Sequence, residues 1–273
     1  MTFPLAQVVR VIEELAPPEL AEDWDSVGLL VEPPGSSPVE NLLLTVDLTE
    51  AVVEEAVAKK VRFVLAYHPP IFGGLPRLTM AAPMQRAILR AVLARIAVHS
   101  PHTSLDACAG GVNDWLAEGL GKAEVTALVP RVVPGAEGPA DPRVGQGRRA
   151  RLARPQSAER VVERIKKHLG LRKVRVALAD RHAAGEDVAE VLLCAGAGGA
   201  VLAGHGGDLL WTGEMRHHEV LEHREAGRTV VLCEHSNTER GFLPRLRDLL
   251  LERFSDKLRV FVSESDRDPL AIR

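Results

Sequence analysis

Three apolar runs in this chain end in side chains that coordinate divalent metal ions. FVLAYH closes on His68, IAVHSPHTSLD carries His102 and Asp106, and TVVLCEHSNTE carries His235 and Glu239. Neutral imidazole and carboxylate are donors for borderline and hard divalent ions such as zinc, iron or manganese. In an open α/β sheet, ligands collect in the crevice outside the carboxyl ends of the strands. Strand ends that supply such donors from both halves of a chain therefore point to a site for one or two divalent ions. A fourth run, DLLWTGEMRHH, ends in Glu214, His217 and His218, which suit acid–base chemistry or support of metal ligands.

Each of these residues also has a simpler reading. His68 precedes Pro69 and Pro70, which cannot continue a strand ladder, so its imidazole could merely close a turn. Asp106 lies just before a glycine-rich helix start and could serve as a cap. Ser236-Asn237-Thr238-Glu239 has the form of a capping box, which accounts for Glu239 without a metal. The i,i+4 spacing of His235 and Glu239 also places both on one face of a helix that begins at the histidine. The glycine-rich CAGAGGAVLAG (194–204) lacks both the dinucleotide fingerprint and the Lys-Ser/Thr of a phosphate loop, so it reads as a tight strand-to-helix turn.

The elements that must position these residues alternate along the chain, which predicts α/β architecture with mixed, largely parallel sheets. Strands are expected at 41–47, 61–68 and 96–100, and again at 176–180, 190–196, 208–214 and 229–235. Between them run helical patterns, with Thr49 and Ser157 as N-caps and Gly121 and Gly170 beyond the helix ends. TVD, AYH and PHTSLD in the first half match CAG, TGE and EHSNTE in the second by order alone. This implies two duplicated α/β units with the metal site between them. The units are placed at 1–128 and 150–273, separated by a Pro-, Gly- and Arg-rich linker at 129–149.

The 273 residues are 46% hydrophobic and 26% charged, an ordinary globular balance, and no apolar run approaches the roughly 20 residues of a membrane span. The N-terminus reads as an amphipathic helix rather than a signal peptide. The three cysteines have no CxxC spacing, so buried, reduced thiols in an intracellular compartment are expected. A net charge of −3 argues against direct nucleic-acid binding. The basic stretch from Arg143 to Arg175 reads as a solvated helix face in preference to a polyanion site.

Seven ordered segments carry a resemblance: WDSVGLLVE (24–32), TVDLTEAVVEEAV (45–57), YHPPIF (67–72), PHTSLDACAGGVNDWL (101–116), TGEMRHHE (212–219), CEHSNTERGFL (233–243) and SESDRDPL (263–270). Together they resemble the NGG-one-interacting-factor-three-like family, most of all its animal branch of NIF-three-like proteins. Bacterial members of that family bear the label GTP cyclohydrolase I type 2 homologue. The resemblance implies an α/β duplication with a divalent-metal centre, ligated by His68, Asp106, His235 and Glu239 with His102 beside them. It also implies homo-oligomers, hexameric rings in bacterial relatives, and transcription-related protein partners in cytoplasm and nucleus. Two functions follow: a metal-dependent hydrolase of a nucleotide-like or phosphorylated substrate, or a corepressor-type interaction protein with a structural metal. Many bacterial members have a His-His pair where this chain has Tyr67-His68. A phenol is a poor divalent ligand near neutral pH, which argues against a fully occupied two-ion centre. Relatives with an extra domain carry it where this chain has only residues 129–149.

Overall fold

The computed structural model describes residues 1–35, 38–132 and 141–270. The first elements are α1 (Leu5–Leu15), β1 (Gly28–Val31), β2 (Asn41–Thr45), α2 (Glu50–Ala58), β3 (Phe63–Ala66), α3 (Pro83–Leu93), β4 (Ala97–Ser100) and α4 (His102–Ala107). There follow α5 (Val112–Glu118), β5 (Ala123–Pro130), β6 (Gly145–Gln156), α6 (Ala158–Leu169), β7 (Arg175–Ala177), α7 (Asp180–Ala183) and β8 (Val188–Cys194). The chain ends with α8 (Gly199–Leu202), β9 (Leu209–Thr212), α9 (His217–Glu225), β10 (Thr229–Leu232), α10 (Leu243–Arg253) and β11 (Arg259–Val262).

These elements form two compact units, one of Met1–Leu105 with Phe242–Arg273, the other of Asp106–Gly241. In the first, the sheet order is β1-β4-β3-β2-β11. All neighbours are parallel except β1, which runs antiparallel to β4. NLLLT, FVLA and AVHS are buried at every position, as strands covered on both faces require. Leu43, Val64 and Val98 pack with Val52 and Val53 of α2 and Ile88 of α3. Thr49 caps α2 by accepting the Val52 N–H at 3.3 Å, as its position in the sequence predicts.

In the second unit the order is β5-β6-β8-β9-β10-β7. The β8, β9 and β10 strands are parallel, whereas β5, β6 and β7 pair antiparallel. Each unit thus contains three consecutive parallel strands with an earlier, antiparallel strand beside the third: β1 beside β4, and β7 beside β10. The two sheets share this four-strand arrangement and differ beyond it, where β11 pairs parallel to β2 but β6 pairs antiparallel to β8.

Two expectations take a different form. The segment read as a linker at 129–149 begins and ends in paired strand, with Val129 opposite Gln146 and Pro130 opposite Gly145, while residues 133–140 lie outside the described residues. The basic stretch does contain α6, capped by Ser157 and ended by Gly170 in the left-handed region. It also contains a fully buried cation. The Arg148 guanidinium donates to Asp114 Oδ1 at 2.5 Å and to the carbonyls of Gly145, Gly147 and Cys108. All three cysteines are buried and outside any disulfide, and burial is the main cause that pushes the Cys108 and Cys233 thiols up to about 12. Among the described residues no helix is long and apolar enough to cross a membrane.

Candidate functional site

Beyond the ends of β2 and β3 the parallel ladder continues, with the Tyr67 N–H on the Thr45 carbonyl at 2.9 Å and the His68 N–H on that of Val46 at 3.0 Å. This register sets His68 beside Asp47, whose Oδ1 lies 2.9 Å from His68 Nδ1. The SESDRDPL tail helps to hold the strand end, because Asp266 Oδ2 accepts the Val46 N–H at 2.7 Å. His102 follows β4 at the first position of α4, with φ +27°, a conformation that costs a non-glycine residue energy and persists where its surroundings fix it. Its Nδ1 lies 2.7 Å from Asp25 Oδ1, while Asp25 Oδ2 accepts from the Thr103 N–H at 3.1 Å and hydroxyl at 2.5 Å. Burial opposes ionisation of Asp25, but the hydrogen bonds from His102 and Thr103 and the charge of His102 outweigh it. The carboxyl is held below its ordinary value. The His68 and His102 rings lie edge to face with centroids 5.4 Å apart.

In the second unit the chain leaves β10 through Glu234, at φ +66°, and presents His235. Its Nδ1 lies 2.7 Å from Glu214 Oε1, and its Nε2 lies 3.2 Å from Oε1 of the buried Glu239. Ser236–Thr238 is a short 3-10 turn, and the Ser236 hydroxyl makes no hydrogen bond, so the capping-box alternative is not the one realised. The backbone of Gly196, at φ +59°, passes so close that a Cβ there would lie 2.6 Å from Glu239 Oε1 and 3.0 Å from His235 Nε2. Its N–H donates to Thr238 Oγ1 at 2.8 Å, and its carbonyl accepts from Gly213 and Glu214. Gly196 of the glycine-rich turn therefore lies directly against the His235–Glu239 pair, where a side chain would collide with both.

Three histidines thus share one arrangement: Nδ1 engaged by a carboxylate, with Nε2 as the remaining ring donor. A carboxylate that takes the Nδ1 proton fixes the tautomer and orientation of a metal-binding imidazole. The donor set passes a further test at His235. With its proton on Nδ1, two lone-pair atoms, Nε2 and Glu239 Oε1, face each other at 3.2 Å. A cation shared by both relieves that repulsion, as does a doubly protonated ring. Two bonds of about 2.1 Å ending that far apart subtend about 100°, between the octahedral and tetrahedral values.

The remaining expected residues are placed as follows. Asp106 lies in the last turn of α4, buried, and its carbonyl accepts from Asn113 Nδ2 at 3.1 Å. Glu214 is the carboxylate on His235, a positioning partner by geometry. It also lines a cavity of about 420 Å³ together with Gly199, Ala200, Met215, Arg216 and Glu219. His217 and His218 are exposed on the first turn of α9, ring centroids 5.4 Å apart, and neither hydrogen-bonds Glu214, His235 or Glu239. Sequence reasoning did not single out Asp25 and Asp47. Their partners lie 77 and 21 residues away, and the only signal was their place inside the WDSVGLLVE and TVDLTEAVVEEAV segments.

Comparison with known proteins agrees with this geometry in fold and family. The family model for Duf34/NIF3 (NGG1p interacting factor 3) matches residues 4–269. NIF3-like protein 1 of Drosophila melanogaster is 42% identical over 266 residues, covering 97% of this chain and 88% of its own. NGG1-interacting factor 3 of Saccharomyces cerevisiae is 37% identical, covering 98% and 96% respectively. Among solved structures, a Bacillus cereus protein related to NIF3 superposes with a TM-score of 0.86 over the full length of both chains at 19% identity, a likeness of fold.

Proposed function

The chain belongs to the Duf34/NIF3 (NGG1p interacting factor 3) family, and from that premise we propose that it holds a divalent metal ion on His68, His235 and Glu239, with Asp106 and His102 as further donors. The observation that carries this reading is the repeated carboxylate–imidazole pair, Asp47–His68, Asp25–His102 and Glu214–His235. A divalent ion bound there supplies Lewis acidity toward a substrate oxygen, which suits hydrolysis of a nucleotide-like or phosphorylated substrate. The residues of the chain supply the rest. Asp47, Asp25 and Glu214 keep the ring protons on Nδ1 and hold each imidazole at a fixed angle. In this reading His217 and His218, exposed at the start of α9, are the candidates for acid–base or positioning roles toward the substrate.

Elemental analysis of purified protein tests the proposal against His235→Ala and Asp106→Ala, with circular dichroism to confirm folding. Metal present in the wild type and lost in the variants supports it, and unchanged metal content in both variants ends it. A second reading draws on the S. cerevisiae relative, whose name states an interaction with NGG1. On that reading the chain is a homo-oligomeric partner of a transcription-related protein, active in cytoplasm and nucleus, and the metal is structural. Partner capture that persists in His235→Ala while hydrolysis is absent in the wild type would favour it.

A further inference from the structure

A cavity of about 220 Å³ opens in the unit of residues 106–241, beside α9 and the loop that follows α8. Glu219, Glu222 and His223 line it from α9, where i, i+3 and i+4 spacing sets them on one helix face. His205 lines it from the loop and Arg228 from the turn before β10. Arg228 is held at both ends. Its backbone N–H donates to the His223 carbonyl at 3.0 Å, and its Nη1 donates to the His205 carbonyl at 3.0 Å. Glu219 Oε2 accepts the Arg216 N–H at 3.0 Å, which leaves Oε1 for another donor. A Cβ at Gly199, which also lines the cavity, would lie 2.9 Å from Glu219 Oε2, so glycine at that position leaves the carboxylate its place.

The charges along this wall do not neutralise one another. Arg148, Arg149, Arg181 and Arg224 of the same unit each sit on a carboxylate. Among the described residues Arg228 forms no ion pair, and neither do Glu219 and Glu222. A half-buried guanidinium without a counter-ion has lost part of its hydration, and a ligand carboxylate replaces that with charge-assisted hydrogen bonds. A separate sign comes from His223, which is 7% exposed and whose Nδ1 has no hydrogen-bond partner among the described residues. Burial, and next the charge of Arg228, hold this ring below its ordinary value, so near neutral pH it offers one N–H and one lone pair. A buried polar atom so placed is accounted for by a polar ligand beside it.

We infer that this cavity binds a free basic α-amino acid of the lysine class, its carboxylate on Arg228 and its two ammonium groups on Glu219 and Glu222. The wall carries two carboxylates and one guanidinium, and such a ligand carries two cations and one carboxylate. A phosphorylated compound would bring its anion against two carboxylates, a diamine would leave Arg228 without a counter-ion, and a neutral sugar would leave all three charges unmatched. A lysine within a peptide has lost both α charges, so the free acid is the fitting form. The inference uses none of the imidazoles proposed as metal ligands and stands apart from that reading.

The test uses the full-length protein with L-lysine as probe, L-norleucine as the analogue without the side-chain cation, and cadaverine as the analogue without the carboxylate. Binding is read by calorimetry at fixed, low ionic strength. Lysine should bind saturably, and each analogue at least fivefold more weakly. Arg228→Gln should weaken lysine binding roughly 10- to 150-fold, the range for loss of a hydrogen bond to a charged group, and leave cadaverine binding within twofold. Glu222 is exposed and makes no other side-chain contact among the described residues, so Glu222→Gln keeps the fold and should weaken lysine about 3- to 10-fold. Circular dichroism checks both variants, and if Arg228→Gln does not fold, Glu222→Gln alone decides. Absence of saturable lysine binding, either analogue binding as tightly as lysine, or lysine affinity unchanged in a folded variant overturns the inference. Metal content that ignores His235→Ala, in protein that still binds lysine, removes the metal site and leaves this one.

Discussion

His99 sits in β4 with 1% of its surface exposed, stacked on Phe63 with ring centroids 6.3 Å apart, and among the described residues neither ring nitrogen has a hydrogen-bond partner. The Glu13 carboxylate on α1 lies 3.9 Å from Nε2 and is itself raised by burial and by Glu19. Burial lowers the His99 value from 6.5 to about 4. The folded protein therefore binds fewer protons here than the unfolded chain, and stability falls as pH drops from 6.5 toward 4. At about 1.4 kcal/mol for each pH unit, the full loss is about 3 kcal/mol. About 2 kcal/mol of it is gone by pH 5. His99→Leu keeps an apolar side chain on Phe63 and removes the titration. Urea unfolding of wild type and variant at pH 7.5 and 5.0 isolates the term, because every other titrating group cancels in the difference. The stability gap between variant and wild type should shift by about 2 kcal/mol in favour of the variant at pH 5. A gap that does not change with pH would refute the assignment of His99 as a neutral, desolvated imidazole.

Gly196→Ala should abolish metal retention, since the added Cβ would meet Glu239 Oε1 and His235 Nε2, whereas Gly185→Ala, also at positive φ but with open space, should not; elemental analysis of both variants reads the difference. Glu214→Gln should lower metal affinity about 10- to 100-fold without unfolding the chain, as measured by competition with a chelator. Arg148→Met leaves buried Asp114 with only the more distant Arg143 guanidinium, at 3.7 Å, and should cost about 3–5 kcal/mol, much of it recovered in the double variant with Asp114→Asn. Glu55 is opposed in its ionisation by burial, but hydrogen bonds from Lys59, Ser263 and the Ser265 and Glu264 N–H groups bring it down to about 2. Its contribution is present above pH 4.5 and lost as pH falls toward 2, so Glu55→Gln should flatten acid unfolding over that window and speed amide exchange at Glu264 and Ser265.

The sequence showed most clearly what depends on neighbours in the chain. Thr49, Ser157 and Gly170 act within one turn of their helices, and the apolar runs of β2, β3, β8, β9 and β10 are buried whatever lies beside them. The β6 strand was harder to see because GQGRRARLARPQ has no apolar alternation. It is held by pairing on both sides, and its arginines find carboxylates, Asp114 for Arg148 and Glu190 for Arg149 and Arg151. The histidines were visible because they end strands. The carboxylates that orient them were not, because Asp25 reaches His102 only through tertiary structure. Nothing in RVFV announces that it completes a sheet begun more than two hundred residues earlier.

That last strand has a consequence for how the protein is made. β11 joins β2 in parallel, Arg259 beside Asn41 through Val262 beside Leu44, so the edge of β2 waits bare during synthesis until residues 259–262 have been made. The unit of residues 106–241 is continuous and can close on itself while its host is still open. Newly synthesised chains stalled before Arg259 would carry an uncapped parallel sheet, an edge open to a chaperone or a neighbouring nascent chain.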